Sequence, residues 1–268
     1  FGGTTILFGG DWRQVGPVVP FGTPADVIES SLISSHLWNK VQRFRLVHSM
    51  RDRLDKPYSR TVRAVGEGLL PPLTLPDESV VIPLQGILSP TNASTDEING
   101  HILHLLPNQM HSLTSANTLI KSNPNDVEEV SSVEFLQKID VPGVPPHQLD
   151  LKVGCIVMFI RNVNFDSGIV NGRKGIVRAI SPRIVDVQVI ARGSPLVKIP
   201  RILFEVKVGR QGTSFHRRQF PLRVCYAMTI NKSQGQTLAR VGLDLRSDVF
   251  CHGQLYVALS RTTSSKTV

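Results

Sequence analysis

Ala227-Met228-Thr229-Ile230-Asn231-Lys232-Ser233-Gln234-Gly235-Gln236-Thr237 is the stretch on which the reading turns. Its first residues end an apolar run, Arg223 to Ile230, that reads as a strand. A polar loop, Asn231 to Gln236, follows it, and Thr237 to Arg240 reads as the opening of a helix. A loop between a strand and a helix can present backbone N–H groups to phosphates. Here Thr229, Lys232 and Ser233 add hydroxyl and ammonium groups beside a glycine turn. The plain alternative is a helix-entry loop with Ser233 as its cap.

Working outward, Val241 to Leu245 reads as another strand and His252 to Ser260 as a final helix. That helix carries Gln254-Leu255-Tyr256-Val257-Ala258-Leu259-Ser260-Arg261. Near the other end, Thr4 to Phe8 is an apolar run that predicts a buried strand. It leads into Gly9-Gly10-Asp11-Trp12-Arg13-Gln14-Val15-Gly16-Pro17-Val18. Asp26 to Val41 has helical spacing, and Arg45 to Val47 reads as strand. Gly86 to Pro90 is a further strand, and Ser94 with Glu97 has the spacing of a capping box for the next helix, which ends at Pro107.

From Leu149 to Val224 the composition changes. Cys155 to Ile160, Gly175 to Ile180, Ile184 to Ile190 and Leu196 to Val208 are Val- and Ile-rich runs, with turn signals at Asn171-Gly172 and Arg192-Gly193. They predict a small all-β barrel inserted in an α/β domain. A short helix is expected near Glu134.

The chain has 268 residues, 41% hydrophobic and 19% charged, an ordinary globular composition. Thirty Lys and Arg against 21 acidic residues give +9, which favours polyanionic partners. Cys155, Cys225 and Cys251 are scattered and form no C-x-x-C pair, so neither a zinc ribbon nor a disulfide framework is indicated. No apolar run approaches a membrane span. The chain starts at Phe1 and stops at Val268 soon after a strong motif, and reads as a piece of a longer polypeptide.

In their order, the stretches 9–18, 227–237 and 254–261 resemble motifs III, V and VI of the Pif-one-type DNA helicases of superfamily one, in the version carried by Helitron transposons. Leu46 to Arg51 resembles motif IV, and Leu88-Ser89-Pro90-Thr91-Asn92 and Pro145-Pro146-His147-Gln148-Leu149 are also similar to family stretches. The resemblance implies an α/β fold with RecA-like P-loop NTPase lobes. It places the end of the first lobe at 1–43, the second lobe at 44–170 and 221–268, and an inserted Src-homology-three-like barrel at 171–220.

It also implies roles. Arg261 is the motif VI arginine finger and Arg51 its motif IV counterpart. Two guanidiniums can neutralise charge on a transferring phosphoryl group, and the Arg fork matches phosphate oxygens. Gln14 is the motif III sensor of the γ-phosphate, and Gly235 and Gln236 lie on the nucleotide side. Thr91, Asn92, Thr229, Asn231, Lys232 and Ser233 face DNA. The plain readings are a solvated arginine, a surface glutamine and a turn before a helix. The basic residues Lys174, Arg178, Arg183, Arg192, Lys198, Arg201, Lys207, Arg210, Arg217 and Arg218 fit a solvated charged face or a DNA-backbone contact.

The implied whole is a 5′-to-3′ DNA translocase using ATP and Mg2+. Its partners are single-stranded or forked DNA, its work repair, recombination, replication or telomere maintenance, and its place the nucleus. It is not a membrane protein. No G-x-x-x-x-G-K-[ST] occurs in the chain, and Asp77-Glu78 after Pro76 is a poor Walker B acid, so no metal ligands are assigned. This chain alone is therefore expected to lack ATPase activity and to need an upstream motor lobe. The competing readings are a catalytically inactive single-stranded nucleic-acid-binding protein and a transposon remnant.

Overall fold

A computed structural model describes residues 3–17, 19, 22–46, 49–51, 53–69, 86–120, 133–141, 143–163, 169–190, 193, 195–207 and 214–268. Its elements begin, in chain order, with α1 (Pro24–Glu29), α2 (Lys56–Gly66), β1 (Gly86–Ser89), α3 (Asn92–Leu105), β2 (His111–Thr114), β3 (Ala116–Leu119) and α4 (Val133–Lys138). Then follow β4 (Gln148–Leu151), β5 (Ile156–Phe159), β6 (Lys174–Ile180), β7 (Ile184–Val189), β8 (Leu196–Pro200), β9 (Ile202–Lys207) and β10 (Ser214–Gln219). The last are β11 (Leu222–Val224), β12 (Ala227–Thr229), β13 (Val241–Leu243) and α5 (Gln254–Leu259). The chain divides into two units, one of Phe1–Asp96 with Ala227–Val268 and one of Glu97–Tyr226.

The first unit is built on a parallel sheet with β1 between β12 and β13. Leu88, Ser89, Ala227, Met228 and Thr229 are all buried, the near-continuous burial of a parallel strand rather than an alternating one. Ser89 lies opposite Thr229, so the loops after β1 and β12 leave the same edge of the sheet. The carboxyl edge of a parallel sheet is where open α/β folds place ligands. Thr91 caps α3, its hydroxyl accepting from Ser94 N at 3.1 Å. The helix therefore starts two residues before the expected Ser94 cap. Asp55 caps α2 by accepting from Tyr58 N at 3.1 Å, and the helix buries the narrow stripe Tyr58, Val62 and Gly66.

Several sequence expectations change here. The helix expected over Asp26 to Val41 breaks into α1 and two 3-10 turns, Leu32–Ser34 and Trp38–Lys40. The cause is local: the Ser30 hydroxyl donates to Val27 O at 2.9 Å, and those of Ser31 and Ser34 donate to Ile28 O at 2.6 and 2.8 Å. Serine hydroxyls that bond back to carbonyls compete with helix continuation. Thr4 to Phe8 pairs with no strand among the described residues, and Leu7 is 89% exposed. Thr237 to Arg240 forms no helix; a 3-10 turn, Ile230–Ser233, takes its place directly after β12. Val47 and Asp77-Glu78 lie outside the described residues.

The second unit is antiparallel. One sheet runs β11-β5-β6-β7-β8, a second runs β3-β10-β9, and β2 pairs with β4. Period-two burial decides the faces: Val185, Val187 and Val189 of β7 point to a core shared with Val157, Phe159, Val177, Ile199 and Leu222. Among the described strands the five-stranded ladder ends at β11 and β8 rather than closing. The expected run Leu196 to Val208 splits into β8 and β9 at Arg201, whose guanidinium donates to Pro182 O, Thr114 O and Gln219 Oε1.

Arg217 departs from the charged-face reading. It is 1% exposed and donates to Leu136 O, Ile139 O, Pro145 O and Asn117 Oδ1. Burial lowers its pKa, partly offset by Asp140. Of the other basic residues, Arg192 and Arg210 lie outside the described residues, while Arg178, Arg183, Lys198, Lys207 and Arg218 are exposed.

Gly175 on β6 faces β7 so closely that an added Cβ would overlap Val187 Cγ1 and lie 3.1 Å from Gln188 O. Gly175→Ala is expected to destabilise this unit by about 1–3 kcal/mol through overpacking. A urea midpoint unchanged from wild type would show that β7 yields at no cost.

Candidate nucleotide and nucleic-acid interface

The loop after residues 4–10 is organised by Asp11. Its Oδ1 accepts from Arg13 N at 3.2 Å and Arg13 Nε at 3.0 Å. Its Oδ2 accepts from Gln14 Nε2 at 3.4 Å and from the Tyr256 hydroxyl of α5 at 3.1 Å. Burial pushes the Asp11 carboxyl up, but the Arg13 and Gln14 interactions outweigh it and hold the pKa below the ordinary carboxylate value. The Arg13 guanidinium lies 5.4 Å from the Tyr256 ring centre. Gln14 Oε1 accepts from Gln234 Nε2 at 2.9 Å, which ties this loop to the one after β12.

Arg261 follows α5 and is 3% exposed. It donates through Nε to Val257 O at 2.8 Å, through Nη1 to Gln236 O at 3.2 Å and Ser233 O at 3.4 Å, and through Nη2 to Ser260 Oγ at 2.7 Å. Burial, and then the positive charge of Arg51, lower its pKa to about 10, so it stays protonated at neutral pH. Arg51 donates to Ser260 O, the carbonyl next to Arg261. Neither guanidinium forms an ion pair with a carboxylate among the described residues. Two mutually repelling cations with no carboxylate partner among the described residues raise the local positive potential, which favours an anion such as a phosphate.

The other expected site residues divide. Ser233 is fully buried, and its hydroxyl donates to Ile230 O at 2.7 Å within the 3-10 turn. Thr229 is 7% exposed. Asn231 is half-buried, its Oδ1 accepting from Gln254 Nε2 at 3.1 Å. Lys232, Gly235 and Asn92 are exposed, Thr91 and Gln236 half-buried. Gln236 Nε2 donates to Lys232 O at 3.2 Å, and Gly235 makes the turn with φ +83. Arg51, Arg261, Gln14, Gly235 and Gln236 thus surround the contact between the loop after β12 and the end of α5, whereas Thr91 and Asn92 stand at the tip of β1.

Sequence reasoning missed the residues that hold this arrangement. The Tyr58 hydroxyl donates to Leu259 O at 2.7 Å and lies 2.9 Å from Thr262 Oγ1, gripping the chain on both sides of Arg261. Asp55 accepts from Ser264 Oγ at 2.9 Å and Ser265 N at 3.1 Å. The fully buried Gln254 accepts from Phe250 N at 3.1 Å. Tyr256 and Gln254 stand inside the quoted motif, but tyrosine and glutamine on a short helix carry no signal of their partners. No cluster of three or more His, Cys, Asp or Glu side chains suited to a metal exists among the described residues. No helix among them is long and apolar enough to cross a membrane.

Comparison with known proteins agrees with the motifs. A family model described as PIF1-like helicase matches residues 1–68, and one described as DNA helicase Pif1, 2B domain, matches residues 134–180. The chain is 30% identical to the ATP-dependent DNA helicase PIF1 of Danio rerio over 98% of its own length and 40% of that protein's. It is 40% identical to the ATP-dependent DNA helicase Pif1 of Bdellovibrio bacteriovorus over 44% of this chain and 26% of that one. The chain therefore spans about 40% of the Danio rerio relative. The crystal structure of Pif1 helicase from Candida albicans superposes with a TM-score of 0.72 at 25% identity, over 96% of this chain and 62% of that one. Motifs in order, a shared fold and relatives matched along nearly the whole sequence converge on one conclusion: this chain belongs to the Pif1-like helicase family.

Proposed function

We propose that this chain is the part of an ATP-dependent DNA helicase that supplies the arginine fingers and part of the DNA-binding surface. The observation that carries the reading is the pair Arg51 and Arg261, two guanidiniums without a carboxylate among the described residues, joined through the loop after β12 to Gln14. In phosphoryl transfer catalysis is mainly positioning and neutralisation of charge on the transferring group, and a guanidinium fork performs both. Arg261 and Arg51 would neutralise the γ-phosphate, Gln14 would sense it, and Gly235 and Gln236 would line its side of the loop. The tip of β1 with Thr91 and Asn92, and the loop with Asn231 and the exposed Lys232, would hold single-stranded DNA, with the buried Thr229 and Ser233 shaping that loop from within.

The remaining elements complete the proposal. Residues 1–43 close a first motor lobe, 44–170 with 221–268 form the second, and 171–220 belong to an inserted Src-homology-three-like barrel. The P-loop lysine and the Mg2+-binding acid come from polypeptide upstream of Phe1, so this chain alone does not turn over ATP. The substrates are forked or single-stranded DNA, with 5′-to-3′ movement, in nuclear replication, repair, recombination or telomere maintenance.

The test uses the full-length protein. It should hydrolyse ATP when single-stranded DNA is added and unwind a duplex carrying a 5′ tail in preference to a 3′ tail. DNA binding without hydrolysis would replace this reading with that of a binding module. Affinity for single-stranded DNA should also fall steeply with salt. If about four phosphates are engaged, the loss between about 50 and 200 mM salt is roughly 50-fold. A flat response in a titration by fluorescence anisotropy would argue against a groove that tracks the backbone.

A further inference from the structure

Two groups converge on one oxygen of Asp11. The Gln14 amide reaches Oδ2 at 3.4 Å from within the same loop, and the Tyr256 hydroxyl reaches it at 3.1 Å from α5. The other carboxylate oxygen is taken by Arg13, whose guanidinium also lies over the Tyr256 ring. The carboxylate is thereby held from both sides, and one end of the Gln14 amide is fixed by it. The other end is fixed by Gln234 at 2.9 Å. Backbone packing reinforces the contact. A Cβ on Gly253, just before α5, would lie 2.5 Å from Arg13 O, and one on Gly66 would lie 2.6 Å from Tyr256 Cδ2. Arg261 stands five residues beyond Tyr256, in the turn that follows α5.

We propose that Tyr256 and Asp11 form a clasp that positions Gln14 relative to Arg261, coupling the nucleotide-sensing loop to the helix that presents the finger. The inference rests on the reading of Gln14 and Arg261 as parts of an ATP site. Tyr256 and Asp11 are positioning residues: they act through Gln14 and touch no reacting atom. A side chain held at a fixed angle loses less freedom on the way to the transition state, and because the contact of Gln14 with the transferring phosphoryl group strengthens there, the benefit appears in turnover rather than in substrate affinity. Tyr256→Phe removes one hydroxyl and preserves the ring beneath Arg13, which keeps the packing intact.

In the full-length protein, Tyr256→Phe is expected to lower kcat for DNA-stimulated ATP hydrolysis about tenfold, with KM for ATP and affinity for single-stranded DNA within about twofold of wild type. Asp11→Ala is expected to lose at least as much. In the Asp11→Ala background Tyr256→Phe should cost nothing further, because its partner is already gone. The same fold-loss in both backgrounds, or an unchanged kcat for Tyr256→Phe, would overturn the clasp. Amide hydrogen exchange gives a second readout that needs no turnover. Exchange over 11–16 should quicken in Tyr256→Phe, and unchanged exchange there also overturns the clasp. If the wild-type protein hydrolyses no ATP, the functional reading fails, and the exchange measurement still decides whether the clasp exists.

Discussion

Arg261→Ala in the full-length protein is expected to lower kcat for DNA-stimulated ATP hydrolysis about 10³-fold or more, the range lost when a transition-state arginine is removed. That corresponds to about 4 kcal/mol of barrier. The size follows from the environment. Arg261 is buried, protonated and set against Arg51, so its charge acts where water screens little. Arg261→Lys should recover only a small part of the loss, because an ammonium lacks the planar fork that binds two phosphate oxygens. Affinity for single-stranded DNA should change far less. Arg261 does donate to Ser233 O and Gln236 O, so its removal loosens the loop that carries Lys232. The expected weakening is no more than about fivefold, the worth of one net hydrogen bond. Steady-state ATPase assays beside anisotropy titrations give both numbers. An Arg261→Ala protein with ordinary kcat, or one that folds but no longer binds DNA, would remove the finger assignment.

Gly253→Ala carries the second large effect, this time on the folded state itself. Gly253 has φ +79, the left-handed region where a side chain costs about 1–3 kcal/mol. An added Cβ would also lie 2.5 Å from Arg13 O and 2.6 Å from the Gln14 carbonyl carbon and oxygen. Those are backbone atoms and cannot rotate away, so the loop or the start of α5 must move. Overpacking of that kind adds about 1–3 kcal/mol. The sum predicts a loss of about 2–6 kcal/mol in a urea or thermal unfolding experiment. Trp12, beside Arg13, and Trp38, 5.6 Å from it, are the two tryptophans of the chain and report on the same loop by fluorescence. A variant within about 0.5 kcal/mol of wild type would place it among ordinary surface substitutions and show that the approach is not tight in solution.

Val- and Ile-rich runs located β5, β6, β7 and the stretch that divides into β8 and β9, and a half-buried strand such as β7 writes its burial into the order of its residues, with Val185, Val187 and Val189 all buried. Short elements whose partners are distant left no such trace. α2 buries only Tyr58, Val62 and Gly66, and its last buried position is a glycine, so the hydrophobic signal is thin. β10 contains Arg217, a charged residue that nothing in its neighbours marks as core. Its burial depends on four acceptors reached from other segments, three of them in the stretch 136–145. The serines at 30, 31 and 34 carried the opposite lesson: apolar spacing favoured one helix, and hydroxyls bonding to nearby carbonyls divided it.

The sequence by itself determined the family, through three motifs in order, and the residue types that phosphate chemistry needs. It could not determine which of those residues meet. Tyr256 reaches Asp11 across 245 positions and Gln234 reaches Gln14 across 220, and Arg51 meets the carbonyl beside Arg261 across 209. Only the tertiary structure decided those pairings. A residue's type fixes what it can donate or accept, whereas the path of the backbone between two distant segments fixes whether donor and acceptor come within about 3 Å of each other.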